Sequence, residues 1–262
     1  MIWLATALAW PAAAFAQSPG GKASPPAVNP GRPTVTDPAS LTAPGWLETE
    51  FGGQDNWDRG ELWSTPVVFK LTMKNQRVEY RLSSDGLLIV PHGADAIGNT
   101  YLAGEYLFRD QQHFGWDLTA RYTLTLPTAP SGFGSRKVDH AILLLASRDF
   151  AHSHHGDVTA HVDLNMGVAD LARQSAGGRD TELLGTASFT FPLPGGRWQY
   201  TNELVYQSPI AGQRSQVTTM HGVSYAVHAW DVYDVALQWQ LHGDGPVWQL
   251  LFGRTFFLGR LF

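Results

Sequence analysis

Apolar and polar residues alternate with a period of two along most of the chain beyond Gly45. In the clearest run, from His113 to Leu126, every second residue is apolar and the residues between are mainly polar. Such alternation predicts β-strands with two different faces. The run is longer than the roughly 5–6 residues of a typical soluble strand, whereas a tilted membrane strand needs roughly 9–11. The pattern therefore favours membrane strands with an apolar face toward lipid and a polar face toward a lumen.

Alternating runs of this kind predict about twelve strands. They lie near residues 45–52, 63–73, 76–83, 98–108, 113–126, 137–149, 156–167, 182–192, 197–206, 215–227, 232–241 and 247–261. Short connections, such as 74–75 and 228–231, mostly alternate with longer ones, such as 83–97 and 168–181. Outer-membrane barrels with both termini in the periplasm have short periplasmic turns and longer external loops. We predict an all-β fold for residues 45–262: a transmembrane antiparallel up-and-down β-barrel with both termini periplasmic.

The residues before this region predict a targeting signal and an arm. Residues 1–16 contain an apolar run that ends in the small-x-small sequence Ala14-Phe15-Ala16, which indicates a cleaved signal peptide. Residues 17–44 carry seven prolines and several glycines, which do not pair into a sheet interior. We expect a disordered or extended N-terminal arm, with a periplasmic tail favoured and a plug inside the lumen as the alternative.

Composition narrows the possible functions. The charged fraction is 16% and the mean hydropathy is slightly negative, which argues against a bundle of apolar membrane helices. The net charge of -5 provides no basic footprint for nucleic acid, so we expect no nucleic-acid partner. There is no cysteine, which excludes disulfides, thiolate metal sites and a cysteine nucleophile. We expect no enzymatic activity and no cofactor.

The parity of the strands predicts which charged and amide side chains face the lumen. We expect a lumen-facing set consisting of Arg77, Glu79, Arg81, Glu105, Asp117, Arg121, Asp139, Asp163, Asn165, Glu203 and Asp234. Polar groups of this kind are costly in a dry core and normal in a wet lumen. Two interpretations stay open: a selectivity or binding surface, and a network that only pairs charges across a narrow barrel.

Other motifs carry weaker signals. His152, His154 and His155 invite a metal site, but a solvated periplasmic turn is the favoured interpretation. The G-x-S-x-G sequence of a serine hydrolase is absent. Many tryptophans, among them Trp46, Trp57, Trp198 and Trp230, lie near strand ends and indicate interfacial aromatic belts.

Several segments resemble a known family. They include 64–70 (STPVVFK), 77–81 (RVEYR), 138–140 (VDH), 146–150 (ASRDF), 163–165 (DLN) and 202–204 (NEL). Together they make the chain from about Pro33 onward similar to the phenol MetA-pathway (phenol degradation) family of outer-membrane transporters. The resemblance implies a bacterial outer-membrane barrel for small hydrophobic or aromatic solutes, and it transfers no catalytic residues.

Three functions follow as hypotheses. The first is a channel or transporter for small, hydrophobic or aromatic solutes. The second is a barrel-embedded lipid hydrolase or deacylase, and the third is a plugged structural barrel without transport. For each of them we expect outer-membrane lipid as a partner. The final strand ends on the aromatic residue Phe262, so we also expect recognition by the barrel-assembly machinery.

Overall fold

The computed structural model describes residues 25–57, 62–91, 93–151, 158–172, 178–208, 214–243 and 247–262. The predicted signal peptide, the first residues of the arm and the 152–155 histidine segment lie outside these ranges. The strands are β1 (Trp46–Trp57), β2 (Leu62–Ser64), β3 (Val67–Thr72), β4 (Val78–Ser84), β5 (Leu87–Ile89), β6 (Ala96–Ile97), β7 (Thr100–Arg109), β8 (Asp117–Leu126), β9 (Asp139–Ala151), β10 (Val158–Ala172), β11 (Arg179–Pro192), β12 (Trp198–Gln207), β13 (Gln216–His228), β14 (Asp231–His242) and β15 (Trp248–Arg260).

These strands form one antiparallel sheet that closes on itself. From β7 to β15 each strand pairs with the next one along the chain, and the wall continues through the pairs β7–β4, β4–β3 and β3–β1. The first strand, β1, also pairs with β15 over the register from Trp46↔Arg260 to Trp57↔Trp248. The short strands β2, β5 and β6 extend the wall where β3, β4 and β7 stop. Counting these extensions with the strands they continue, the wall is a closed barrel of twelve strands. The predicted fold class is confirmed.

One predicted strand segment is wrong. Residues 113–116 were expected to continue the strand from His113 to Leu126, but β8 begins at Asp117 and the helix α1 covers Gln111–Phe114. The Asp110 side chain accepts a hydrogen bond from the His113 backbone N–H, and Gly115 ends the helix in the left-handed conformation. These two caps stabilise a single helical turn against the alternating pattern.

Tight connections and long ones lie at opposite ends of the barrel. The turns 73–77, 193–197 and 229–230 lie at the end where β1 begins and β15 finishes, which we call the turn end. The connections 85–99 and 127–138 lie at the other end, which we call the loop end. The start and finish of the barrel therefore share the end that carries the shortest turns.

The distribution of polarity is the reverse of that in a soluble protein. Outward side chains such as Ile142, Leu144 and Met166 are 53%, 54% and 69% exposed, whereas many charged side chains are buried inside the wall. In the part of the chain that the structure describes, no helix is long and apolar enough to cross a membrane. An apolar exterior over a polar interior is the arrangement of a transmembrane barrel.

The lumen is not empty, because residues 25–44 of the arm lie inside it. Thr36 and Ala39 are fully buried, and Thr42 is nearly so. For these residues the favoured expectation of a periplasmic tail is wrong, and the alternative of a segment folded into the lumen is what the structure contains. The physical reason is that the wall offers a partner for many of the polar groups that this extended segment carries.

The two faces of the wall should respond differently to a positive charge. Leu164 is an outward residue in the middle of β10, between Ala146 and Ala187 of the neighbouring strands. We expect Leu164→Arg to lower the free energy of unfolding by about 2–4 kcal/mol, because the guanidinium would face the lipid midplane. The matched change Thr123→Arg, on the inner face of β8, should cost less. Denaturant unfolding in lipid vesicles measures both, and equal costs would show that the assigned faces are wrong.

Candidate functional site

The arm enters and leaves the barrel at the turn end. Near its start, Val28 N donates to the carbonyl oxygen of Ala229 at the β13–β14 turn, at 2.9 Å. At its finish, Gly45 N donates to the carbonyl oxygen of Thr72 at the end of β3, at 3.0 Å. Between these points the arm reaches Thr36, which contacts Glu203 near the middle of β12. The arm is thus a loop inserted from the turn end to about half the depth of the barrel.

The centre of the arm is held by two arginines of the wall. The Asp37 carboxylate accepts from Arg81 Nη1 at 2.9 Å and from Arg121 Nη1. Glu105 lies behind both arginines, 2.7 Å from Arg81 Nε and 2.5 Å from Arg121 Nε. Burial by itself favours the neutral acid, yet Arg121 and Arg81 hold the pKa of Asp37 well below its usual range. Asp37 is therefore a partly buried carboxylate that links the arm to β4 and β8.

Other wall side chains bind the backbone of the arm directly. The Asn165 side chain accepts from Asp37 N at 2.8 Å and donates to the Asp37 carbonyl oxygen at 2.9 Å. Glu203 Oε1 accepts from both the backbone N–H and the hydroxyl of Thr36, at 2.5 and 2.6 Å. An extended segment has no internal hydrogen bonds, so such side chains replace the partners that a sheet would provide.

The returning limb, from Pro38 to Pro44, follows the wall back to the turn end. Ala39 N donates to Ser147 Oγ at 2.6 Å, and the Ala39 carbonyl oxygen accepts from Thr119 Oγ1 at 2.6 Å. Further on, Glu79 Oε2 accepts from Thr42 N at 2.8 Å. Residues of three wall strands, β4, β8 and β9, thereby fix this limb.

The entering limb lies against a buried lysine. Lys70 Nζ donates to the carbonyl oxygen of Asn29 at 2.9 Å, and it also contacts the carboxylates of Glu48 and Glu50. Those carboxylates in turn accept from Asn29 N and Gly31 N, at 2.8 and 2.7 Å. Since Lys70 is paired with two acids, the group is a compensated buried charge cluster.

The predicted lumen-facing residues take three kinds of position. Those that contact the arm directly are Glu79, Arg81, Arg121, Asn165, Glu203 and Asp234, the last of them 3.9 Å from Arg32. Those that contact other wall groups are Glu105, Asp163, Asp117 and Asp139; Asp117 accepts from Gln111 N at the turn end and Asp139 from Ala172 N at the loop end. Arg77 is outside both groups.

Arg77 does not lie in the lumen network. It belongs to the β3–β4 turn, one residue before β4 begins, and its side chain is 47% exposed. Its Nη1 donates to the carbonyl oxygen of Leu107, and Nη2 is 3.8 Å from Asp110. The parity of Glu79 and Arg81 did not extend to Arg77, because alternation holds only while the backbone stays in the strand.

Several residues of this site were absent from the predicted set. Glu48, Glu50 and Lys70 are buried wall residues, and the same parity rule applied to β1 and β3 would have identified them. The arm residues Asn29, Arg32 and Asp37 carry no periodic signal, because the arm is not a strand. No sequence pattern at their positions indicates the wall groups that they meet.

The arm leaves space beside it near the turn end. A cavity of about 390 Å³ lies between the arm and the inner faces of β9 to β13. Its lining includes Pro192 and Gln199, which flank the 193–197 turn, so we call it the turn-end cavity. Val35 of the arm is 44% exposed and does not line this cavity.

Four histidines of the described ranges are bonded to acids, phenols or amides: His113, His140, His161 and His221. His161 Nδ1 is 2.6 Å from Asp149 and its Nε2 is 2.8 Å from Asp163, while His221 contacts Tyr200 and Asn202. Within those ranges no histidine is hydrogen-bonded to a serine, and no group of three histidine or acidic side chains is arranged to hold a metal ion.

Comparison with known proteins shows where this fold occurs. No family model matches the sequence, and no curated protein matches it. Among solved structures, an outer-membrane channel from Pseudomonas putida F1 superposes with a TM-score of 0.63 at 14% identity, covering 88% of this chain and 99% of that one. The NanC porin gives 0.56 at 8% identity, covering 80% and 98%, and the KdgM porin gives 0.52 at 10%, covering 79% and 98%. The fold is that of a bacterial outer-membrane β-barrel, and the apolar exterior agrees with that membrane.

The polar contacts that hold the arm predict how fast a thiol reagent reaches its residues. The native chain has no cysteine, so one introduced thiol reports its own exposure to a maleimide. We expect Ala39→Cys, at a fully buried position, to react slowly, and to react faster when Asp37→Asn removes the charge that pairs with Arg81 and Arg121. Val35→Cys, at an exposed position, should react quickly in both backgrounds. An Ala39→Cys rate untouched by Asp37→Asn would contradict the anchoring role.

Proposed function

We propose that the protein is an outer-membrane channel for small solutes and that residues 25–44 form its plug. The observation that carries this proposal is the nature of the contacts between arm and wall. They are hydrogen bonds and ion pairs with polar side chains, which water can replace when the arm leaves. We would expect a permanently closed barrel to hold its plug by apolar contacts, because exposing apolar surface to water is costly.

The size of the barrel supports the same proposal. Eight-stranded barrels are filled by their own side chains, whereas sixteen-stranded porins enclose an aqueous channel. A twelve-stranded barrel lies between them. Here the wall side chains leave enough space for an entire extended segment and a cavity beside it. Without the arm this space would form a polar passage.

The orientation belongs to the proposal as well. We place the turn end in the periplasm, because periplasmic turns of such barrels are short and external loops longer. The arm would then enter from the periplasm, and the longer connections at the loop end would face the exterior of the cell. Recognition of the C-terminal strand by the barrel-assembly machinery stays a prediction that rests on the terminal Phe262.

Two observations bear on the class of solute, and they favour different classes. Hydrophobic or aromatic solutes follow from the family resemblance alone. The described lumen is lined mainly by hydroxyl, amide and charged groups, with a small apolar cluster of Met220, Ala236 and Leu251. This lining favours small polar solutes.

The two alternative functions have less support. A barrel-embedded lipid hydrolase needs a nucleophile within hydrogen-bond distance of a base, and the described histidines bond to other groups. A plugged structural barrel would have the same contacts between arm and wall as the channel. Conductance is therefore the measurement that distinguishes these two functions.

Removing the arm should open the channel. We expect the barrel without residues 17–44 to show larger and more frequent conductance steps in planar bilayers than the mature chain. The matched control lacks only residues 17–27, which precede the first wall contact at Val28, and it should conduct like the mature chain. An arm-deleted barrel that inserts, resists detergent unfolding and never conducts would support the structural reading and contradict the channel.

The open channel should prefer cations. The buried wall acids Glu48, Glu50, Glu79, Glu105, Asp163, Glu203 and Asp234 outnumber the buried wall bases Lys70, Arg81 and Arg121. Reversal potentials of the arm-deleted barrel in a salt gradient should therefore show cation preference, and Asp163→Asn with Asp117→Asn should reduce it. Thr186→Val, which changes no charge, is the control. Anion preference would contradict the role of these carboxylates.

A further inference from the structure

We propose that the turn-end cavity is a binding site for an uncharged, polyhydroxylated solute of about the size of one sugar ring. The proposal rests on the proposed function, because one wall of the cavity is the plug itself. It also adds a regulatory consequence: an occupied site keeps the plug in place.

The size of the cavity suits a small ring. A volume of about 390 Å³ corresponds to about thirteen water molecules at about 30 Å³ each. A monosaccharide has twelve non-hydrogen atoms and displaces a comparable number of waters. A ligand much larger than one ring would have to move the arm.

Neutral polar side chains line the cavity on the barrel side. They come from three neighbouring strands, β11, β12 and β13, and comprise Ser188, Thr190, Gln199, Thr201 and Ser224. Thr190 and Thr201 share a hydrogen bond of 2.9 Å, and Ser224 donates weakly to Gln199 at 3.5 Å. A hydroxyl both donates and accepts, as does an amide, and so these groups match a ligand whose own hydroxyls do the same.

The arm supplies apolar surface opposite these groups. Pro30, Pro33 and Pro38 line the cavity from the arm, and Pro192 lines it from β11. Proline rings are rigid and present C–H surface, which packs against the C–H face of a sugar ring while the hydroxyls at its rim bond to the wall. A combination of a few apolar surfaces with directed polar groups is the usual composition of a small-molecule site.

Each charged group at the cavity lies beside a group of opposite charge. His161 lies between the carboxylates of Asp149 and Asp163, at 2.6 and 2.8 Å. Arg32 faces Asp234 at 3.9 Å. An anionic solute would meet two carboxylates and no cation that lacks an acid beside it, so its entry is opposed. The site therefore favours an uncharged ligand.

The shared wall couples binding to the plug. Asn29, Pro30, Arg32, Pro33, Thr34, Pro38 and Ser40 line the cavity, so the site exists only while the arm lies in the lumen. A ligand that binds the plugged state and not the open one shifts the equilibrium toward the plugged state. Solute that reaches the turn end would thus favour closure of the channel.

The experiment titrates glucose into the mature protein, refolded in an amine-oxide detergent, and follows binding by calorimetry. The double variant Thr190→Val with Thr201→Val removes both partners of one hydrogen bond, which keeps the shape and leaves no group unpaired. We expect saturable glucose binding to the native chain and an affinity about tenfold or more weaker in the double variant. The matched control is Thr186→Val on β11, which lies away from the cavity and whose hydroxyl has no hydrogen-bond partner among the described residues.

Four further outcomes decide the proposal. Loss of glucose binding in the arm-deleted barrel supports the shared wall, and retained binding overturns it. Failure of glucose to bind the native chain, or equal binding by the double variant, overturns the site. Binding of glucuronate or phenol that competes with glucose at similar affinity overturns the uncharged polyhydroxylated class. Calorimetry needs no conductance, so a barrel that binds glucose and never conducts supports this site while rejecting the channel.

Discussion

The pairing of the first strand with the last is the constraint on which the rest of the molecule depends. In a bilayer, each unsatisfied backbone N–H or carbonyl facing hydrocarbon costs several kcal/mol, so a sheet that crosses it must have no free edge. The β1–β15 pairing removes that edge along the full length of β1. Closure also fixes which face of every strand is enclosed, and it sets a lumen width from the number of strands. Alternation along the chain then becomes a division between lipid and lumen.

A lumen of this width creates an electrostatic problem that the arm helps to solve. Many acids and bases project inward, and a buried charge without a partner is strongly destabilising. Asp37 of the arm pairs with Arg81 and Arg121, and carbonyl and N–H groups of the arm satisfy Lys70, Asn165 and Glu203. Thus the same side chains that would line an open passage serve as anchors in the plugged state. In the structure these side chains form a pairing network with the arm, and in the proposed channel they would line the passage.

The position of the arm gives the two ends of the barrel different roles. The prolines of the arm form a wall of the cavity at the turn end, whereas Val35 is exposed outside that cavity. A solute on one side therefore meets a different surface from a solute on the other. Because the arm enters from the turn end and returns to it, it can withdraw without crossing the membrane. The asymmetry of the plug is a direct consequence of its attachment immediately before β1.

Sequence alone determined the wall, and tertiary structure alone determined what fills it. The period-two pattern identified twelve strands and their faces, since lipid and lumen impose opposite polarity on alternate residues. It failed at residues 113–116, where the helical turn capped by Asp110 and Gly115 replaces the start of the predicted strand, and at Arg77, which precedes its strand. The course of the arm could not be predicted from the sequence. Its proline-rich sequence has no period, and its partners, such as Glu203 and Asn165, lie more than a hundred residues away. The local pattern of apolar and polar residues indicates whether a strand face meets lipid or the lumen. A contact between distant segments forms only once the barrel has closed.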